Sequence, residues 1–205
     1  MKEAAVRVGV RLELATVVWM AVEAVLAIGA GIAARSVLLT AFGFDSVIEL
    51  ISGGTLLWRL SSESRGASAE RIEAVERRAT WISAVLLALL CVYLVGVGLV
   101  GLATRLRPEG SALGVGVAAA AVVLMPLLAW RKQRANLAIG SSALRADIAE
   151  TITCAYLAAA TLAGTALNLV AGLWWAEYVA ALALLVFIAM ETKEAIESAD
   201  NSHEK

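Results

Sequence analysis

Four side chains in this sequence have the types and spacing to do chemistry inside an apolar environment. Asp45 and Glu49 lie in SVLLTAFGFDSVIELISG, residues 36–53, and Glu150 and Cys154 lie in SSALRADIAETITC, residues 141–154. Each pair is four residues apart, which on a helix places both members on one face, one turn apart. In both stretches a Ser stands nine residues before the first of the pair, Ser36 before Asp45 and Ser141 before Glu150. Two residues from each of two facing helices can build a four-ligand cage, and tetrahedral coordination suits Zn²⁺. A thiolate favours Zn²⁺, Cd²⁺ or Co²⁺ over Mg²⁺ or Ca²⁺. Asp147 shares the face of Glu150 and Cys154 and is an auxiliary ligand or proton site in this reading. A hydrogen-bonded, protonated acid cluster that holds helices together satisfies the same spacing, and spacing does not choose between the two.

The rest of the chain is what positions those faces. Its 205 residues are 60% hydrophobic, with a mean hydropathy of +0.81. Soluble domains are roughly 45–50% apolar, so this chain has more apolar surface than one core can hide. Spans of about 20 residues fit it six times. The reading is an all-α membrane protein of six transmembrane helices, in two three-helix halves with inverted-repeat character. Residues 1–13 form an N-terminal arm, 14–190 the transmembrane domain and 191–205 a short tail. The charged start, followed by an apolar run long enough to span, does not read as a cleavable signal peptide.

The spans are expected at about 14–34, 36–60, 80–104, 113–130, 141–170 and 174–190. Arg35 alone separates the first two. Residues 61–78 read as a solvated connector with a short surface helix, and 131–140 as a basic loop. Pro126 is expected to kink the fourth span. Gly53, Gly54 and the GVG at 96–98 are expected to allow close helix approach. Cys91 reads as packing. Trp174, Trp175 and Tyr178 read as interfacial anchors, and His203 as a solvated tail residue. Glu23, in the middle of the first span, reads as a proton-carrying or supporting group, or as an acid that packs against a neighbouring helix, the commoner role in a bundle.

Lys2, Arg7, Arg11, Arg59, Arg65, Arg71, Arg77, Arg78, Arg131, Lys132, Arg134, Lys193 and Lys205 fall on one side of this topology. Only Arg35, Arg105 and Arg107 fall on the other. The positive-inside rule then puts both termini in the cytoplasm, in a plasma membrane of the bacterial type. The second helix enters from outside and the fifth from inside. At about 1.5 Å per residue, both site pairs reach the midplane of a core about 30 Å thick. Arg145 is the evident cationic partner for the buried acids. The net charge of −1 argues against a nucleic-acid partner. No Ser–His, metalloprotease or phosphotransfer constellation appears, so an enzyme is not expected.

The two ligand stretches resemble the second and fifth helices of the cation diffusion facilitator family of metal transporters, whose pattern is close to S-x-A-L-x-A-D-A-x-[H/D]-x-x-x-D. The resemblance places Asp45 and Glu49, and Glu150 and Cys154, on the ligand positions, with Asp147 on the pattern's earlier Asp. It covers residues 14–190, is specific in the two ligand helices and is loose elsewhere. No His occupies a ligand position, and the family's usual histidine-rich loop and C-terminal cytoplasmic domain have no counterpart here. The resemblance implies proton-coupled export of a divalent metal, Zn²⁺ first and then Cd²⁺, Co²⁺ or Mn²⁺, by alternating access in a homodimer. A proton-coupled carrier of another substrate and a non-transporting membrane scaffold are the other readings.

Overall fold

A computed structural model of the chain describes residues 2–64, 68–139 and 142–201. Ser141, His203 and residues 65–67 of the polar connector lie outside the described residues. The described chain forms six helices: α1 (Lys2–Ala34), α2 (Val37–Ser64), α3 (Ala69–Ala103), α4 (Ala112–Ile139), α5 (Ser142–Ala171) and α6 (Trp174–Asn201). Five contain stretches long and apolar enough to cross a membrane, and α6 has a shorter apolar stretch, Trp174–Met190. Val25, Ile32, Val123 and Leu137 point outward, as lipid-facing positions do, while backbone groups are satisfied within each helix. The architecture is that of an all-α membrane protein.

The helices are longer than their apolar runs. The segments read as an arm, a polar connector, a basic loop and a tail are largely helical extensions. Their Ala, Glu, Lys and Arg residues are strong helix formers, so the backbone does not stop where hydropathy falls. The expected surface helix in 61–78 is the first part of α3. The helix of α4 continues through Pro126.

The turn after α1 is as tight as expected. Arg35 takes φ 52°, Ser36 N donates to Gly31 O at 2.8 Å, and Ser36 Oγ accepts from Leu39 N at 3.1 Å to cap α2. At this end of the bundle Glu109 N donates to Ala34 O at 2.8 Å, and Tyr178 OH donates to Leu106 O at 2.8 Å. Ends of α1 and α3 thus meet starts of α2, α4 and α6. At the opposite end the start of α1 meets the end of α4 and the start of α5 through Lys132. Consecutive helices are therefore antiparallel, and both termini lie at one end.

Helix contacts follow a two-fold pattern. α1 packs on α2 as α4 packs on α5, and α2 on α3 as α5 on α6; α1 meets α4, α2 meets α5 and α3 meets α6. An odd number of helices per half makes the second half start from the opposite end, so the halves are inverted. One contact departs from the pattern: α2 also packs on α6.

Close approach uses glycines other than most of those expected. A methyl group on Gly31 would meet Thr40 Oγ1 and lie 2.6 Å from Thr40 N, and one on Gly53 would lie 2.9 Å from Glu13 Oε1. Gly54, Gly96 and Gly98 have open space instead. Gly31→Ala should therefore destabilise the fold by about 1–3 kcal/mol, because backbone cannot yield as a side chain does. Gly54→Ala should stay within about 0.5 kcal/mol of wild type. Unfolding midpoints in mild detergent check both; equal effects would contradict this packing.

Candidate functional site

The second and fifth helices do meet, in the interior and antiparallel. Asp45, Glu49 and Cys154 are all buried. The Cys154 thiol faces the charge of Glu49 first, and then of Glu23 and Asp45. Glu23, from α1, is tightly held: Trp19 Nε1 donates to its Oε2 at 2.6 Å and Ser46 Oγ to its Oε1 at 2.7 Å. Ser46 is the chain neighbour of Asp45, so this acid joins the site through α2.

Glu150 stands apart from that group. Ser52 Oγ donates to its two carboxylate oxygens at 3.2 and 3.0 Å. Spacing along a helix defines a face but not the axial offset between two helices. Here the offset sets Cys154 beside Glu49 and sets Glu150 against Ser52, nearer the end with the termini. Among the described residues, no three His, Cys, Asp or Glu side chains are placed to hold one metal ion together. The acids and the thiol are neighbours on facing helices, not a finished cage.

The cation that answers the buried acids is Lys132, not Arg145, which is exposed. Lys132 sits inside α4 and is 0% exposed. Its ammonium makes ion pairs of 2.8 Å with Glu13 Oε2 and 2.8 Å with Asp147 Oδ2, whose side chains are 1% and 10% exposed. It also donates to Thr151 Oγ1 at 3.4 Å, which places all three of its donors. Asp147 is thereby engaged by a side chain of the protein itself. Lys132 and Glu13 lie at the margins of apolar runs, where charge reads as solvated, so the sequence marks neither as a site residue.

A second polar cluster closes the other end. Ser36 Oγ donates to Glu177 Oε2. Asn168 Nδ2 donates to Glu177 Oε1 at 2.6 Å and to Pro108 O at 3.0 Å. Of the three expected anchors, Trp175 points outward and Tyr178 is buried, while Trp174 packs edge-on against Tyr178 with Arg107 over its ring. Cys91 is not wholly apolar in its setting, since its sulfur stands 3.8 Å from Thr192 Oγ1 of α6.

No family model matches the chain. It is 28% identical over 173 residues to the uncharacterized transporter sll1263 of Synechocystis sp. (strain ATCC 27184 / PCC 6803 / Kazusa), an alignment covering 78% of this chain and 56% of the relative. The chain thus spans just over half the length of the curated relative it matches.

Proposed function

We propose that this chain is a secondary transporter that exchanges a divalent metal cation, Zn²⁺ before others, for protons by alternating access. The observation that carries the reading is the buried Cys154 thiol beside Glu49, with Asp45 and Glu23 facing it. Acids within a membrane bundle are expensive to keep and mark ion or proton paths. A thiol among carboxylates suits Zn²⁺, Cd²⁺ and Co²⁺ better than hard ions. Thiol and carboxylate ligands lose their protons to bind metal, so metal and protons compete for one set of atoms.

The inverted halves fit alternating access, in which one half rocks against the other around a central site. The likeness to a protein described as a transporter points the same way, as does the resemblance of the two ligand stretches to cation diffusion facilitators. Asp45, Glu49, Glu150 and Cys154 are the ligands of this reading, gathered into one cage when α2 and α5 shift along each other, and Glu23 orients the Asp45 turn. Export from the cytoplasm, with both termini on that side, completes the proposal.

Calorimetry on purified protein tests it. Cys154→Ser should weaken Zn²⁺ and Cd²⁺ binding by about 10–100-fold and Mn²⁺ much less, because Mn²⁺ prefers oxygen. Asp45→Asn should weaken all three, and Cys154→Asp should recover Mn²⁺ binding. Absence of metal binding by wild type would favour a carrier of another substrate or a scaffold.

A homodimer built from membrane helices belongs to the same reading. The exposed face of α3 at Gly96 and Gly98, open to close approach, is its contact surface. Mass measurement in nanodiscs should give two chains per particle; a monomer at every concentration would refute it.

A further inference from the structure

The Glu13–Lys132–Asp147 cluster has a position that packing alone does not require. Asp147, Thr151 and Cys154 follow one another on a single face of α5 at helical spacing. Along the helix axis Thr151 is about 4.5 Å and Asp147 about 10.5 Å from Cys154. The Lys132 ammonium touches both Asp147 and Thr151. It therefore stands between the end carrying the termini and the thiol.

Four helices converge there. Lys132 belongs to α4, Asp147 and Thr151 to α5, and Glu13 to α1. Glu13 Oε1 also comes so close to Gly53 of α2 that a methyl group there would lie 2.9 Å away. These same four helices surround Cys154, through Met20 of α1, Leu50 of α2, Met125 of α4 and its own α5. The opposite end is closed by a different set of groups, Ser36, Glu177 and Asn168. The acid and thiol group therefore has a polar closure on each side, built from separate residues.

We infer that Lys132 is a positioning residue for the proposed exchange: its ammonium ties α1, α4 and α5 together and shuts the route from the termini end to Cys154. The inference rests on the transport reading for its purpose but not for its test. Two carboxylates share one ammonium, so the single side chain of Lys132 holds α1 and α5 at once. Removing the ammonium breaks the link from α4 to both carboxylates, and the route opens.

Cys154 reports on this directly, because it is buried and reacts only when solvent reaches it. The measurement is the rate of Cys154 labelling by a membrane-impermeant maleimide. It uses Cys91→Ser protein in liposomes whose outer solution bathes the termini. Lys132→Met should raise the rate by at least about tenfold, a factor typical of coupling between sites. Glu13→Gln should raise it less. It retains an amide oxygen for the ammonium and leaves the Asp147 pair whole, so it stays folded even if Lys132→Met does not. Asn168→Ala breaks a buried bond at the other end and should leave the rate unchanged. Labelling at the wild-type rate in folded Glu13→Gln overturns the inference. So does equal acceleration in Asn168→Ala, which would mean general loosening. If wild type binds no zinc, the metal-exchange reading fails while the labelling result stands; unchanged labelling removes the latch and leaves metal binding intact.

Discussion

A bundle in lipid has no water to answer its buried charges, and the rest of this structure follows from that constraint. Five of the interior acids are met by partners within the bundle. Lys132 meets Glu13 and Asp147, Trp19 and Ser46 meet Glu23, Ser52 meets Glu150, and Ser36 and Asn168 meet Glu177. Most of these contacts join different helices. They fix which helices touch and at what height, which apolar packing in lipid specifies only weakly. Breaking one partner of a buried ion pair is far more disruptive than the pair's net worth, because the other charge is stranded.

The arrangement is layered along the bundle. An ionic cluster lies toward the termini, a thiol with acids lies in the middle, and a hydroxyl–carboxylate–amide cluster lies at the far end. Two inverted halves place the middle layer where α2 and α5 meet. That is the position from which a bound ion can be exposed to either side with the least rearrangement.

Much of this was legible from residues alone. Apolar runs gave the number of helices, and the single Arg35 between the first two gave the tight turn. The faces carrying Asp45, Glu49, Glu150 and Cys154 followed from spacing by four. Three things were not legible. The offset between α2 and α5 is a tertiary quantity, so sequence spacing did not pair Glu150 with Ser52. Lys132 and Glu13 lie where hydropathy falls, yet helices of Ala, Glu and Arg continue past that point and carry them into the interior. Gly31 and Gly53 differ from Gly54 and Gly96 only in what stands opposite, which no local signal reports. A basic residue within two positions of the end of an apolar run, with an acid similarly placed on another run, is the signal that would have found the Lys132 pair.

The central claim is that the interior of α2 and α5 is a metal site with Cys154 as a ligand. X-ray absorption at the zinc edge, on zinc-loaded Cys91→Ser protein in mild detergent, tests this most directly. A sulfur scatterer at about 2.3 Å, accompanied by oxygen at about 2.0–2.2 Å, is the result the account predicts. A shell of oxygen and nitrogen alone, unchanged by Cys154→Ser, would contradict it.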